Sequence, residues 1–240
     1  MSRHIISLEP AYVLHTRPYR DTSALIIFFT YQHGLIHAVA RGARGNRSRL
    51  KGLLQPFVPL LISWSGQNDL HSLRDAEAQG EINYLPSEKF LTGLYINELL
   101  VRVLQKHDAH PELYLAYQQA LQGLCGVKHE QAILRIFEKR LLHALGYALP
   151  LNQDCATGHE ILSERFYQFD PAHGFSILPE SFTHHDATNV FAGKIIIALQ
   201  QEDFGDKQLL RDMKRLMRLA LAPLIGAKQL KSRELFLTMF

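Results

Sequence analysis

The hydrophobic pattern of this chain changes its period once, near Ser87, and that change constrains the fold more than any other feature. Before Ser87, apolar runs of strand length are separated by turn residues. After it, apolar residues recur every three or four positions, as they do along one face of an α-helix. The sequence therefore predicts an α+β protein in which the β part comes first and the helical part follows.

Residues 1–80 contain strand-length segments with no helical pattern between them. The strand candidates read AYVLHTRP, which ends at a proline turn, then TSALIIFFTY, GLIHAVARG, LQPFVPLLISWSG and LHSLRDAEAQ. The tripeptide Gln32-His33-Gly34 is typical of a hairpin turn, and Pro56 and Pro59 place the start of the fourth strand at an edge or a bulge. Five short strands in succession fit a small barrel, and the OB-fold is the commonest such barrel that binds nucleic acid.

The helical pattern after Ser87 predicts three consecutive amphipathic helices that form a bundle. They are SEKFLTGLYINELLVRVLQKH, PELYLAYQQALQGL and the segment from Glu130 to Leu145. Pro111 is a favoured first helical residue, and Gly146 ends the third helix. Helical patterning resumes near Asn189 and again in DKQLLRDMKRLMRLALAPLIG.

Between the two helical parts, FYQFDPAHGFSIL predicts a hairpin around Asp170-Pro171. We therefore predict three regions. They are an OB-fold at 1–80, a helical bundle formed by 81–148 with 187–240, and a small irregular or hairpin region at 149–186.

The charge distribution is more informative than the formal net charge of +3. The stretch ARGARGNRSRLKG at residues 40–52 carries five cations, and no acid occurs between Asp21 and Asp69. A second bias lies between Lys207 and Arg233, where eight basic residues stand against one acid. Two basic regions on a nearly neutral chain indicate a polyanionic partner. Solvated faces are the alternative for both, and a targeting signal is a further alternative for the first.

Nucleic acid suits the first basic region, because the guanidinium fork matches phosphate and can stack on bases. The glycines and serines between the cations let a backbone approach closely. Aromatic faces for unpaired bases would complete a single-strand site. Among the aromatic residues of the predicted barrel, we expect Tyr19 and Trp64 to be the exposed pair.

Motifs for catalysis are missing from the sequence. It has no Walker motif, no G-x-G-x-x-G, no G-x-S-x-G and no acidic cluster of the kind that holds catalytic Mg²⁺. Thirteen histidines raise the question of a metal. The candidate groups His107 with His110, His184-His185-Asp186, and Cys155 with His159 do not reproduce zinc-site spacing. Two cysteines with different contexts and no membrane-length apolar run predict a cytoplasmic chain with reduced thiols.

Several long segments resemble the RecO family of bacterial recombination mediators. In the barrel they are AYVLHTRPYRDTSALIIFFT and ARGARGNRSRLKGLLQPFVPLL. In the helical part they are LTGLYINELLVRVL, LRIFEKRLLHALGY and LAPLIGAKQLKSRELF. The resemblance covers nearly the whole chain.

This resemblance implies an OB-fold, a helical domain and a small third region in a cytoplasmic, nucleoid-associated protein. It implies binding of single- and double-stranded DNA, annealing of complementary strands, and work with RecR to load RecA onto DNA coated with single-strand binding protein. It also implies binding of that protein's acidic, Phe-ended tail. It implies no cofactor and no catalysed covalent step. Some relatives carry a four-cysteine zinc site in the third region; only Cys155 stands there in this chain, so we predict no zinc.

The resemblance also assigns roles to residues. Phosphate contacts fall on the basic barrel loop, which we expect to be a flexible clamp: Arg41, Arg44, Arg47, Arg49 and Lys51. The resemblance implies that Arg135 binds the tail's carboxylate. It places an adjoining apolar pocket at Leu134, Leu142 and Leu145. Our own addition from the charge pattern is a second DNA-binding face on the C-terminal basic helix, with Lys214, Arg215 and Arg218.

Three alternatives stay open at this point. They are a DNA-binding scaffold that does not anneal, an RNA-binding barrel, and an enzyme of the nuclease or zinc-dependent kind.

Overall fold

A computed structural model describes residues 5–66, 69–80, 84–126, 129–181, 187–227 and 229–239, without the side chains of 236–239. The chain divides into two compact units. Unit 1 comprises Met1–Val127 together with Gln229–Phe240, and unit 2 comprises Lys128–Lys228. The chain therefore leaves unit 1, builds unit 2, and returns.

Unit 1 begins with a closed five-stranded barrel. Its strands are β1 (Ile5–Tyr19), β2 (Ser23–Thr30), β3 (Gly34–Ala40), β4 (Pro59–Ser65) and β5 (Leu70–Ala78). The strand order around the barrel is β1-β2-β3-β5-β4, and the β3–β5 pair is the parallel one. A short helix, α1 (Leu50–Leu53), lies between β3 and β4. This arrangement confirms the predicted α+β class and the OB-like barrel.

The barrel closes because β1 is long enough to pair with two neighbours. Its first half pairs with β4 and its second half with β2, with irregular register between Ile6 and Glu9 and between Val13 and His15. Irregularities of this kind let one strand bend around a small barrel. The predicted end of this strand at a proline turn is wrong. β1 continues through Pro18, and the chain turns after Tyr19, where Arg20 has a φ of 51°.

The barrel interior is filled by alternate residues of all five strands, as the apolar runs predicted. The fully buried members include Val13, Ile26, Phe28, Ile36, Leu60 and Ile62. The predicted hairpin is confirmed, since β2 ends at Thr30 and β3 begins at Gly34. The Thr30 hydroxyl donates to the carbonyl of Gly34 and accepts from His33 N, which fixes the turn.

Helices α2 (Phe90–Val103) and α3 (Pro111–Cys125) pack against the barrel. Asn97 of α2 donates from Nδ2 to the carbonyl oxygens of Val13 and Leu14, and it accepts from the Tyr117 hydroxyl at 2.7 Å. The Tyr12 ring contacts Tyr117 edge-on at a centroid distance of 5.0 Å. Burial raises the pKa of the Tyr117 hydroxyl well above its ordinary value, so this buried network is neutral.

The connection between α2 and α3 packs onto the β2–β3 hairpin. His107 N donates to Leu35 O at 3.1 Å. At Gly34 a Cβ atom would lie only 2.0 Å from the carbonyl oxygen of Asp108, and its φ is 63°. A glycine is therefore required at this turn by space as well as by conformation.

Helix α7 (Lys231–Met239) returns to unit 1 and packs on α2. The Glu98 carboxylate of α2 accepts hydrogen bonds from Lys231 N, Ser232 N and the Ser232 hydroxyl. A carboxylate at a helix N-terminus satisfies amide groups that have no partner within the helix. The guanidinium of Arg233 also lies over the ring of Tyr95, 5.8 Å from its centroid.

Unit 2 contains three helices and one small sheet within its described residues. The helices are α4 (Glu130–Ala144), α5 (Gly193–Gln201) and α6 (Lys207–Ile225), and the sheet has the order β7-β6-β8. Its strands are β6 (Phe166–Asp170), β7 (Gly174–Ile177) and β8 (Val190–Ala192). The predicted hairpin around Asp170-Pro171 is therefore present. The helix predicted to resume near Asn189 begins instead at Gly193, because residues 190–192 pair with β6.

The helices thus divide between the two units, whereas the sequence grouped them in one bundle. The three-region division stays a prediction. Within the described ranges, no helix combines the length and apolar character that crossing a bilayer requires.

Candidate nucleic-acid interface

The basic segment, residues 41–54, connects β3 to β4 as a succession of hydrogen-bonded turns. Gly45 N donates to Gly42 O at 3.0 Å, Ser48 N to Gly45 O at 3.1 Å, and Lys51 N to Ser48 O at 3.2 Å. Ala43 and Leu54 are buried in the barrel core and hold the segment at both ends. The segment therefore forms a hydrogen-bonded cap on the barrel, and its role as a flexible phosphate clamp stays a prediction.

All five cations of this segment are exposed, but they differ in their partners. Arg44 Nη1 donates to the carbonyl oxygens of Arg20 and Asp21, at 3.3 and 3.4 Å, and Arg49 forms an ion pair with Asp75. The side chains of Arg41, Arg47 and Lys51 have no hydrogen bond or ion pair with any described residue. These three side chains are available to a ligand, whereas Arg44 links the segment to the β1–β2 turn.

A cleft of about 390 Å³ opens on the barrel beside Arg41. It lies where the β1–β2 turn, the end of β3, the β4–β5 loop and the start of β5 meet. The lining residues from the first two elements are Tyr19, Arg20, Val39 and Arg41. Those from the other two are Ser65, Gly66, Leu70, His71, Ser72 and Arg74. In OB-folds the oligonucleotide-binding surface consists of the face of strands 2 and 3 together with the β1–β2 and β4–β5 loops.

The charged residues that line this cleft are all arginines. Arg20, Arg41 and Arg74 are all exposed, and none of the lining residues is acidic. Arg74 is oriented by a hydrogen bond from its Nε to the Ser65 hydroxyl at 2.7 Å. Because no carboxylate of this lining competes for the guanidinium groups, the cleft favours a polyanion.

Sequence reasoning missed Arg20 and Arg74, because both lie outside the two basic stretches and only the barrel brings them beside Arg41. The β3–β5 register pairs Val39 with Ser72, and the β4–β5 register pairs Ser65 with Ser72. A strand alignment of the OB-fold would have placed these residues on one surface.

The aromatic candidates of the barrel are mostly interior. Tyr19 is half-buried and lines the cleft, as a base-stacking residue would. The companion prediction for Trp64 is wrong, since only 3% of it is exposed. Trp64 faces the interior because the β4 alternation places it with Leu60 and Ile62, which are also buried.

Trp64 belongs to a row of rings that includes three histidines. Its ring centroid lies 5.3 Å from that of His33 and 6.1 Å from that of His71, and His71 lies 5.4 Å from His107. His71 is buried, and neither ring nitrogen has a hydrogen-bond partner among the described residues. Burial lowers the pKa of His71, and the nearby His107 lowers it further.

On α6, the residues predicted to bind DNA have different surroundings. Arg215 donates to the carbonyl oxygens of Ala187, Thr188 and Val190, and its guanidinium lies 4.4 Å from the ring centroid of Phe191. Arg215 therefore ties α6 to the sheet. Lys214 is half-buried, whereas the outer face of the helix carries exposed cations: Lys207, Arg211 and Arg218.

The residues predicted to bind a peptide tail lie mostly in the interior. Arg135 is only 2% exposed, and its Nη2 contacts Glu138 Oε1 at 2.9 Å. Leu134 and Leu142 are buried, and Leu145 at the end of α4 is half-buried. Arg135 was expected to meet the tail's carboxylate, but it shares the buried side of α4 with Leu134 and Glu138.

Unit 2 also has a cleft, of about 430 Å³, which is lined by residues of α4 other than Arg135 and Glu138. Its helix residues are Lys139, Arg140 and His143, with Gln200 from α5. Its remaining lining comes from the segment after α4: Ala148, Leu149, Leu151 and Asn152. The cleft combines an apolar wall with a cationic rim. Lys139 Nζ also pairs with Glu202 at 2.5 Å.

The third region is where the resemblance places a four-cysteine zinc site in some relatives. Among the described residues, no three His, Cys, Asp or Glu side chains group closely enough to share a metal ion. The candidate group His184-His185-Asp186 lies outside the described residues. Near Cys155, the Asp154 carboxylate accepts from Thr157 Oγ1 at 2.5 Å, Ala156 N at 3.0 Å and Ile177 N at 3.3 Å. These residues do not fit a four-cysteine site, and the described turn is held by hydrogen bonds.

Comparison with known proteins connects this geometry to a family. The chain matches the family model described as recombination protein O, N terminal, over residues 1–80. It matches the model described as recombination protein O, C terminal, over residues 87–234. Both clefts and both basic faces lie within the matched ranges.

Proteins similar to the chain over most of its length carry the name DNA repair protein RecO. The relative from Coxiella burnetii (strain RSA 331 / Henzerling II) is 46% identical over 230 residues, which cover 96% of this chain and 97% of the relative. The relative from Actinobacillus pleuropneumoniae serotype 5b is 42% identical over 228 residues, covering 94% and 92% of the two chains. The relative from Glaesserella parasuis serovar 5 is 41% identical over 231 residues, covering 95% and 94%. The matches over both halves of the chain and the OB-like barrel agree, and the chain belongs to the RecO family of DNA repair proteins.

Proposed function

We propose that this chain is a recombination mediator without a catalysed covalent step. It binds single- and double-stranded DNA and anneals complementary strands. With RecR, it helps load RecA onto DNA coated with single-strand binding protein. The observation that carries the proposal is the cationic surface of the barrel. Its cleft has no acidic lining residue and is lined by Arg20, Arg41 and Arg74, and the neighbouring Arg47 and Lys51 have no side-chain partner among the described residues.

The physics of such a surface favours DNA as its ligand. Each phosphate that a cation neutralises releases counterions, so binding weakens steeply as salt increases. A cation without a partner can bind a phosphate without first breaking an ion pair. Among the described residues, Arg41 and Arg47 have no such partner. The exposed cations of α6 provide a second positively charged surface: Lys207, Arg211 and Arg218. Two such surfaces on one chain would screen the repulsion between two strands and so promote annealing.

We propose further that the acidic, Phe-ended tail of single-strand binding protein docks in the cleft beside α4. Leu149 and Leu151 offer apolar contact for the terminal ring, and the cations at the rim offer partners for carboxylates. Arg135, which the family resemblance suggested for this role, is buried with Glu138 and supports α4 from within. We therefore assign the tail's carboxylate to Arg140, five residues further along the helix.

This assignment is tested by tail-peptide binding to two variants. Arg140→Ala is expected to weaken binding of a peptide with the acidic, Phe-ended sequence while direct DNA binding stays nearly unchanged. Arg135→Ala is expected to lower the melting temperature, because it leaves the buried Glu138 carboxylate without its cation. A stably folded Arg135→Ala protein that has lost peptide binding, beside an unaffected Arg140→Ala protein, would return the role to Arg135.

The main test of the proposed function is annealing of complementary strands coated with single-strand binding protein. The protein is expected to anneal them when the coating protein has its tail, and to lose most of this activity when the tail is removed. DNA binding without annealing under either condition would instead support a non-annealing scaffold. Side-by-side binding to DNA and RNA oligomers separates the remaining alternative, an RNA-binding barrel.

A further inference from the structure

We infer that the cleft bounded by Tyr19 and Arg74 is a pocket for one unstacked base of a single DNA strand. The inference rests on the proposed DNA binding and adds the form of DNA that this surface takes. Its starting point is the volume of the cleft, about 390 Å³. That volume is near the lower end of clefts that enclose a small molecule and corresponds to one nucleotide better than to a stretch of duplex.

The chemistry of the lining differs from that of the basic segment beside it. The segment presents cations alone, whereas the cleft adds an aromatic ring and apolar side chains. Val39 is half-buried, and Leu70 is 43% exposed although it is a large apolar residue. An exposed leucine has no role in phosphate binding, but it gives apolar contact to a base.

Tyr19 is held as a stacking surface by its neighbour. The Arg20 guanidinium carbon lies 5.4 Å from the centroid of the Tyr19 ring, within the range of a cation–π contact. The backbone beside it is also fixed, since the carbonyl of Arg20 accepts a hydrogen bond from Arg44. A phenol ring positioned in this way loses little conformational freedom when a base stacks on it.

The arginines at the edge supply the partners for the flanking phosphates. Arg41 directly follows β3 and Arg74 lies on β5, and the parallel register that pairs Val39 with Ser72 brings both arginines to the same end of this strand pair. A base that contacts Val39 and Leu70 therefore has guanidinium groups at one end of the cleft for its flanking phosphates. In a duplex the base faces are covered by neighbouring pairs, and only an unpaired or flipped base exposes a face to Tyr19.

The test compares four ligands at one salt concentration by fluorescence anisotropy. They are an oligomer of about 12 thymidines, within the site size of a single OB-fold, the same length of abasic strand, a duplex of that length, and the matching uridine RNA. The thymidine strand is expected to bind roughly tenfold more tightly than the abasic strand, since one stacked base contributes about 1–3 kcal/mol.

The variants locate this preference. Tyr19→Ala is expected to remove most of the difference between thymidine and abasic strands and to leave duplex binding nearly unchanged, whereas Tyr19→Trp keeps the difference. Tyr147→Ala is the matched control, because Tyr147 is an exposed tyrosine, 56% accessible, in unit 2. RNA bound as tightly as DNA would show that the pocket takes a base without reading the sugar, which still supports it.

Two outcomes would overturn the inference, and both are distinct from failure of the proposed function. Equal binding of thymidine and abasic strands by the unmodified protein would show that no base is held. An unchanged preference in a folded Tyr19→Ala variant would remove the pocket from this cleft. In either case DNA binding itself would stand, whereas absence of binding to all four ligands would contradict the proposed function.

Discussion

Glu98 and Ser232 are joined by two hydrogen bonds although 134 positions separate them in the chain. The Glu98 Oε2 atom accepts from Ser232 N at 2.8 Å and from Ser232 Oγ at 2.7 Å. Burial by itself raises the pKa of this carboxyl, but the hydrogen bonds from Ser232 and Lys231 outweigh it, and the pKa lies below its ordinary value. The pair fixes α7 to α2.

Replacing Glu98 tests how much this contact stabilises unit 1. We expect Glu98→Gln to lower the free energy of unfolding by about 2 kcal/mol near pH 7, because hydrogen bonds to a charged acceptor are lost. Because the pKa of Glu98 is lower in the folded protein, its stabilising contribution is complete above the unfolded pKa of 4.5. This contribution is lost as the pH falls through the folded pKa. The difference between the two proteins in urea unfolding should therefore shrink below pH 4.5. Glu77→Gln, an exposed site on β5, is the control.

The cations of the basic segment that lack a partner among the described residues should determine the salt dependence of DNA binding. We expect the double variant Arg41→Ala, Arg47→Ala to reduce the slope of log K against log salt by about 1.4 for single strands, or about 0.7 for each phosphate contact. Lys194→Ala, an exposed lysine in unit 2, should leave the slope unchanged. A slope unaffected by the double variant would remove these two arginines from the interface.

Arg44 should act by a different route, because its guanidinium holds the β1–β2 turn. Arg44→Ala is expected to weaken single-strand binding with a smaller change in slope than the loss of Arg47. Titrations of Arg44→Ala and Arg47→Ala at several salt concentrations separate positioning from direct contact. Identical slopes for the two variants would make Arg44 a phosphate contact as the sequence predicted.

Two glycines with nearly the same backbone conformation offer a matched test of packing. Gly34 has a φ of 63° and Gly42 a φ of 68°, but a Cβ at Gly42 would meet no described atom within 4 Å. Gly42→Ala should cost about 1 kcal/mol, which is the cost of the left-handed conformation alone. Gly34→Ala should cost about 3 kcal/mol or more, since the Asp108 backbone has to move. Thermal unfolding of the two variants measures the difference.

His71 should make the stability of unit 1 sensitive to mild acid. Its folded pKa is lowered, so the unfolded chain binds more protons below about pH 6.5, and stability falls as the pH decreases from that value. The groups that face it are His107, His33, Asp69 and the Trp64 ring. We expect His71→Phe to lose less stability between pH 7.5 and 5.5 than the unmodified protein does, by urea unfolding. An equal loss would assign the acid sensitivity to other groups, of which His37 is one.

Arg215 and Arg218, three positions apart on α6, should respond differently to the same substitution. Arg215→Gln is expected to lower the free energy of unfolding by about 2 kcal/mol, because its bonds to three carbonyl groups and its contact with Phe191 are lost. Arg218→Gln, at an exposed position, should change stability less than Arg215→Gln does. Its effect should appear in DNA binding, as a salt slope reduced by about 0.7. If neither variant changes the slope, α6 is not a DNA surface.

The fold was largely predictable because its signals are local. The strand-length apolar runs, the turn at Gln32 to Gly34 and the helical pattern after Ser87 each express the geometry of a few consecutive residues. Two element boundaries differ from the prediction. Proline was expected to end β1, but Pro18 is tolerated near the end of the strand. Residues 190–192 pair with β6, and a helical period in the sequence does not exclude such pairing.

The candidate site was only partly predictable, because partners decide which cations remain available. Arg41 and Arg49 have the same chemistry in the sequence, yet of the two only Arg49 meets an acid among the described residues, Asp75, supplied by a strand that begins some twenty residues later. The family resemblance assigned Arg135 to a peptide ligand, but its guanidinium is buried beside Glu138. Tyr19, Arg20 and Arg74 line one cleft because the closed barrel brings their strands together. Their spacing along the chain does not predict this.

The return of α7 to unit 1 has a consequence for the order in which the protein matures during synthesis. Glu98 leaves the ribosome well before its partners. Its hydrogen bonds with Lys231 and Ser232, at the start of α7, cannot form until those residues have been synthesised. Domains usually fold in the order in which they are made, with the N-terminal domain first. Here the unit that is started first is completed last, after the whole of unit 2 has been translated. Nascent chains that stop before residue 231 should therefore carry a barrel whose supporting helix α2 lacks its final partner.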